Sequence, residues 1–170
     1  VKKYEGQWLG SSDSIWAIRR LASIYYDGKG KREPDPERAT FFLRKVCQFV
    51  IKYEACFQFF QDYESLYRLG CLLEGQFNES DVQQAFWCLK NVYSRLSNTK
   101  DYPDLEYRLG RMCEEGRGTP QNDDQAAFYY KIAVRKGNME AAERLGRLHS
   151  QGRGLTWFEK MGAKLAQLVK

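Results

Sequence analysis

Residues 104–118 read DLEYRLGRMCEEGRG, and residues 139–154 read MEAAERLGRLHSQGRG. Both stretches carry Leu-Gly followed at one offset by Gly-Arg-Gly, and their leucines, Leu109 and Leu145, stand 36 residues apart. Self-similarity at such a period marks a repeat architecture. Upstream, YRLGCLLEG places Leu69 and Gly70 in the same role, and RRLASIYYDGKG places Leu21 and Ala22 there. The intervals lengthen toward the N-terminus, to 40 and then 48 residues, so the earlier connections hold insertions.

Each unit reads as two helices. In the third, Leu105, Leu109, Met112 and Cys113 follow helical spacing and form the buried stripe of helix A. Gly116 and Gly118 end it, since glycine takes the left-handed cap without steric cost. Pro120 and Asn122-Asp123-Asp124 supply a turn and an N-cap for helix B, which buries Ala126, Tyr129, Tyr130 and Ala133 and stops at Gly137-Asn138. The first unit repeats this layout, with helix A from about Asp13 to Asp27 and Pro34-Asp35-Pro36 opening helix B. Its buried places fall to Ala39, Phe42, Leu43, Val46 and Cys47. The second unit keeps Gly75 alone at the turn and sets Ala85, Cys88, Leu89 and Val92 on helix B.

This pattern resembles the Sel1-like repeat family, an α/α-repeat relative of the tetratricopeptide repeats. The family's small residue falls at Ala17, Ser65 and Ala141. Its Leu-Gly falls at Leu69-Gly70, Leu109-Gly110 and Leu145-Gly146, and its aromatic pair at Tyr129-Tyr130. The match runs from about Asp13 to Gly154. It departs at Ala22, Leu73 and Gln76, and at the helix-A aromatic, which is kept as Tyr25 but becomes Cys113 and His149 later. The resemblance implies an all-α, α/α-repeat solenoid, a right-handed superhelix of about four helix pairs. It also implies an adaptor in protein complexes. The reading is a single domain over 1–170, with repeats at about 13–60, 61–100, 102–138 and 139–170.

The C-terminal LTWFEKMGAKLAQLVK fits a helix starting after Thr156, with Phe158, Met161, Leu165 and Leu168 on one stripe, read as a capping helix B. A basic amphipathic helix for a membrane surface is the competing account, carried by Lys160, Lys164 and Lys170. The stretch Ile51 to Tyr63 extends the first helix B and is unusually aromatic.

The net charge of +5 is spread along the chain rather than clustered, which speaks against a nucleic-acid surface and for an acidic protein partner. No apolar run approaches the roughly 20 residues that span a bilayer. The five cysteines, Cys47, Cys56, Cys71, Cys88 and Cys113, contain no CxxC pair and mostly fill apolar helical positions. They read as reduced, which favours an intracellular, cytoplasmic setting. A bridge such as Cys47–Cys56 stays open as an alternative.

Chemistry finds little footing. The Gly-x-Gly turns follow a helix, whereas phosphate-binding loops precede one, so they read as caps. With one histidine and no paired cysteines, zinc-ligand spacing is missing, and no cofactor is expected. Cys113 and His149 hold equivalent positions in successive repeats, which raises a Cys–His dyad; two substitutions at a core site account for them as well.

One column stands out. The residue before the repeat's Leu is Arg in all four units: Arg20, Arg68, Arg108 and Arg144. Arg111 and Arg147 add a second arginine three residues on, and Tyr67 and Tyr107 precede the column in the middle units. Stacked helices lie about 10 Å apart, so the positions line up. One reading is a docking strip on the concave helix-A face for an acidic protein segment. The other is a solvated face that tolerates any polar residue. Glu106, Glu114, Glu115, Glu140 and Glu143 lie close enough to neutralise part of it.

The sequence therefore reads as a non-catalytic protein-interaction scaffold, with these eight arginines and tyrosines as its partner-binding residues. The alternatives, which rest on analogy, are an immunity or inhibitor protein for a toxic enzyme, and a targeting module of a larger enzyme, the latter prompted by a chain that opens on Val1.

Overall fold

The computed structural model describes residues 12–28, 33–52, 63–96 and 99–154, and these hold α-helices joined by turns, with no strand among them. The chain divides into two compact units, Val1–Gln76 and Phe77–Lys170. The boundary falls inside the second repeat, beside Gly75, where the turn lacks a second glycine.

The first unit contains α1 (Ser12–Asp27), α2 (Pro36–Lys52) and α3 (Tyr63–Glu74). Helix α1 ends at Gly28, whose φ of 65° only glycine adopts cheaply. Asp35 caps α2 by accepting the Arg38 N–H at 3.0 Å, and Pro36 takes the first helical position, where its missing N–H costs nothing. Ile15, Ala22 and Tyr25 of α1, Ala39, Leu43, Val46 and Cys47 of α2, and Leu66, Leu69 and Leu73 of α3 are buried. Phe42, expected in this core, is only half-buried; its ring stacks on Tyr25 at 5.6 Å and 8° and so forms the rim of the core.

The second unit contains α4 (Glu79–Arg95), α5 (Leu105–Glu115), α6 (Asp123–Arg135) and α7 (Met139–Ser150). Three of these helices are capped alike. Asn78, Asn122 and Asn138 accept from the N–H groups of Ser80, Gln125 and Ala141 at 3.0, 2.9 and 2.8 Å. Val82, Ala85, Cys88, Leu89 and Val92 of α4 face the core, as do Leu105, Leu109, Met112 and Cys113 of α5. Ala126, Tyr129, Tyr130 and Ala133 of α6 fill the rest. Each large side chain buried in this way contributes roughly 1.5–3 kcal/mol. The C-terminal helix expected after Thr156, and most of the aromatic stretch from Ile51 to Tyr63 with Cys56, lie outside the described residues.

The Gly-x-Gly turn is a cap and also a stacking device. Gly116 closes α5 in the left-handed conformation at φ 66°. Gly118 lies against the first turn of α4, where an added Cβ would stand 2.7 Å from the Val82 carbonyl carbon. Gly154 repeats the arrangement one unit later, against the Ala127 Cβ and Asp123 O of α6, both at 2.8 Å. The second glycine of each turn is where one repeat touches helix B of the repeat before it.

Leu-Gly has its own cause in the third repeat. A Cβ at Gly110 would stand 2.6 Å from the ring of Tyr130, which is fully buried and held at its hydroxyl by Glu114. At Gly146, the same position one repeat later, no described residue lies within 4 Å. Gly110→Ala should therefore destabilise the protein by about 1–3 kcal/mol despite the better helix propensity of alanine. Gly146→Ala should stabilise it by up to about 1 kcal/mol. Urea unfolding of the two variants beside the parent checks both signs.

Candidate partner-binding site

The arginine column does not behave as one solvated strip. Arg68 on α3 reaches back to α1: its guanidinium lies 3.3 Å from Asp27 and from the Ser23 hydroxyl, stacks over Tyr26 at 4.7 Å, and pairs with Glu64 at 2.5 Å. Arg144 on α7 reaches back to α5, donating to Glu114 at 2.9 Å and Glu115 at 3.1 Å. Asp27 and Glu115 hold the same repeat position, the last residue of helix A. So within each unit an arginine near the middle of one helix A binds the acidic end of the preceding helix A.

These junctions are half-shielded from water. Only 23% of the Arg144 side chain and 16% of the Glu114 side chain are exposed. Burial opposes the charge on Arg144, but the hydrogen bond it donates to Glu114 and the charge of that carboxylate outweigh this, so the guanidinium pKa rises. The Glu114 carboxylate also accepts from the buried Tyr130 hydroxyl at 2.6 Å. Burial first, and then Glu114, push the Tyr130 pKa upward. Tyr107 lies 6.1 Å from Tyr130, ring to ring, and burial followed by Glu140 raises its pKa as well.

Glu106 is not part of the strip. It is fully buried, and both its oxygens accept from Lys136 at the end of α6, at 2.8 Å. The Thr99 hydroxyl donates to the same carboxylate. A carboxylate so deep in a core is tolerated only with such partners. Its position beside Tyr107 in the sequence suggested a surface charge, because one-dimensional spacing does not reveal that Lys136 returns from the next helix.

Two grooves remain open along helix A. In the second unit, Asp104, Tyr107, Arg108 and Arg111 of the α5 segment face Asn138, Met139 and Glu140 at the start of α7. In the first, Trp16, Arg19 and Arg20 of α1 face Glu64 and Arg68 of α3. Six expected site residues thus divide as follows: Tyr107, Arg108 and Arg111 line one groove, Arg20 and Arg68 line the other, and Arg144 is engaged in its junction. Arg147 is exposed and Tyr67 half-buried. Trp16 and Met139, exposed by 59% and 79%, were not singled out from the sequence. Trp16 had a signal, since Glu64, Asp104 and Glu140 fill its position in the other repeats.

The Cys–His dyad does not form. The Cys113 thiol contacts Gln125 Oε1 at 3.8 Å, and burial pushes its pKa up to about 11, the opposite of an activated nucleophile. His149 Nε2 has no hydrogen-bond partner among the described residues. Cys47, Cys88 and Cys113 are buried, and Cys71 is half-buried. Among the described residues no cluster of His, Cys, Asp and Glu could hold a metal, and no helix is long and apolar enough to cross a membrane.

Comparison with known proteins follows the same repeats. The family pattern described as "Sel1 repeat" matches residues 17–48, 64–91, 103–138 and 140–164. The chitin synthase regulator SKT5 of Saccharomyces cerevisiae is 23% identical over 151 residues, covering 88% of this chain and 20% of that protein. The protein of the same name from Malassezia restricta is 32% identical over 95 residues, covering 56% of this chain and 6% of that one. The chain thus spans a fifth or less of these relatives. The crystal structure of a Sel1 repeat protein from Oxalobacter formigenes superposes with a TM-score of 0.51 at 22% identity, covering 78% of this chain and 88% of the other. At that identity the likeness is one of fold.

Two outcomes follow from the geometry. Arg144→Ala removes charge-assisted bonds to Glu114 and Glu115 and should cost about 1–3 kcal/mol in urea unfolding. Arg147→Ala, at an exposed site, should stay within about 0.5 kcal/mol. Cys113 should resist thiol reagents in the native state while Cys71 reacts. Because the folded-state pKa of Cys113 is raised to about 11 from an ordinary 9.0, its contribution is intact below pH 9 and is lost as pH rises toward 11. A Cys113→Ala variant should lose less stability than the parent across that alkaline window.

Proposed function

The chain belongs to the Sel1 repeat family, whose members generally mediate protein–protein interaction, and from that premise we propose that it is a non-catalytic regulatory adaptor. It holds a partner protein along its helix-A side. The observation that carries this reading is the open groove between α5 and α7. There Arg108 and Arg111 stand beside Tyr107 and the exposed Met139. Arginine, tyrosine and methionine are the side chains over-represented where proteins bind one another, since they combine apolar area with directed polarity. The partner segment fitting this groove carries a carboxylate for the arginines and an apolar residue for Met139 and the Tyr107 ring.

This reading narrows the arginine strip. Arg68 and Arg144 serve the junctions between helices A, so exchanging them for glutamate tests stability before it tests binding. Arg108 and Arg111 line the groove between α5 and α7 and Arg20 lines the groove between α1 and α3, and in this reading these three arginines meet the partner, with Arg147 and Tyr67 beside them. A second, narrower reading takes its support from the two fungal relatives, both named as regulators of chitin synthase. In it, the partner is a polysaccharide-synthesising enzyme, and the adaptor controls it by contact rather than by chemistry.

The test is a double substitution, Arg111→Glu with Met139→Glu, compared with the parent in affinity capture from native lysate at two salt concentrations. A partner held in the groove should fall away by tenfold or more, about 1.4 kcal/mol, with helicity unchanged. Capture that does not respond to the substitutions removes the groove from the binding surface. Co-purification of a polysaccharide synthase whose rate changes with the adaptor supports the narrower reading.

A further inference from the structure

The solvent-facing side of the helices B carries a feature that stacking does not explain. Ala39 of α2, Ala85 of α4 and Ala126 of α6 are fully buried at one repeat position. Two residues after each stands a large aromatic, Phe41, Trp87 and Phe128, exposed by 48%, 40% and 54%. Five residues after each stands a base, Arg44, Lys90 and Lys131, close to one helical turn beyond the aromatic. Single exposed aromatics are common on protein surfaces, but one position that keeps an exposed aromatic in three helices is not scatter. In the first unit, the Lys45 ammonium lies 5.6 Å over the Phe41 ring. In the second unit the pattern is joined across two helices. The Lys90 ammonium of α4 lies 5.1 Å over the Tyr129 ring of α6 and donates to its hydroxyl, and Tyr129 packs 5.4 Å from Phe128.

Charge sets these helices apart from the helices A. Past the first turn, every charged residue of α2, α4 and α6 is Lys or Arg, and the acids Glu37, Glu79, Asp81, Asp123 and Asp124 are confined to the starts. Helices α3, α5 and α7 mix both signs along their length. We propose that the α4–α6 face, with Trp87, Lys90, Phe128 and Lys131, binds the surface of an anionic lipid bilayer. Its composition specifies that occupant. Aromatic rings settle where headgroups meet acyl chains, and bases beside them extend toward the lipid phosphates and carboxylates. Charge of a single sign then meets the negative potential of an anionic leaflet. Recurrence points the same way. A protein partner presents a different residue to each repeat, whereas a bilayer presents the same chemistry to each. In the first unit, Phe41 with Arg44 and Lys45 carries the same chemistry.

The full chain is sedimented with vesicles of phosphatidylcholine alone and of phosphatidylcholine with about 30% phosphatidylserine. The expected result is binding to the mixed vesicles that weakens as salt rises, and none to the neutral ones. Trp87→Gln with Phe128→Gln should weaken it roughly tenfold or more, with helicity unchanged. Brominated acyl chains give a second readout. Trp87→Phe keeps an aromatic at the site, so it should bind like the parent yet lose part of the indole quenching. Absence of binding by the parent overturns the proposal, as does equal binding to neutral vesicles or by the glutamine pair. Quenching that is equal in the parent and Trp87→Phe overturns it too. Binding lost with Lys160→Gln/Lys164→Gln but kept by the glutamine pair assigns attachment to the C-terminal stretch and overturns it. Arg111→Glu with Met139→Glu should leave vesicle binding unchanged; its loss there would move attachment to the groove between α5 and α7 and overturn the assignment of this face.

Discussion

A helix pair of this size cannot bury its own apolar surface. Helix α5 has 11 residues and α6 has 13, and both carry large apolar groups on more than one side. Stability then comes from stacking each pair on the next, as in repeat proteins generally. Stacking apolar faces is non-directional, so something else must fix the register. In this protein two short-range devices supply it. One is the arginine that grips the acidic end of the preceding helix A; the other is the second glycine of the turn, which sits on the first turn of the preceding helix B. The first needs a charge of one sign at one position and the opposite sign six or seven residues past the equivalent site. The second tolerates no side chain.

The helices themselves were legible because their signals are local. Leucines at helical spacing, Asn and Asp at the starts, and glycine at the ends each act within a few residues. The buried stripe of Leu105, Leu109, Met112 and Cys113 and the core positions of α4 and α6 came out as the spacing predicts. Phe42 shows the limit of the same reasoning. Its spacing places it on the buried stripe, but at the rim of a short helix pair the stripe is wider than the cover available to it.

The candidate site was legible only in part, and Glu106 and Arg144 show why. A sequence displays that Glu106 neighbours Tyr107 and that Arg144 recurs at the repeat's arginine position. It does not display that Lys136 comes back from the end of α6 to neutralise Glu106, or that Glu114 already binds Tyr130 when Arg144 reaches it. Contacts made 16 to 41 residues away decide whether a charge is free for a partner or committed to the fold. Like charges recurring in four repeats invited a common external cause. An internal cause is sufficient at Arg68 and Arg144, because at both junctions the preceding helix A brings an acid to that base.

That distinction has a consequence for how such an array recognises anything. A residue that recurs in every repeat answers a need that every repeat shares, and the shared need is to stack. Recognition of one partner rather than another requires positions where the repeats differ. Trp16 stands where three other repeats have an acid, and Met139 is exposed at the head of α7. Arg20 is exposed on α1, whereas Arg68 and Arg144 of the same column are committed to junctions. Specificity in this chain therefore belongs to departures from the repeat, and the repeat supplies the rigid spacing on which those departures are displayed.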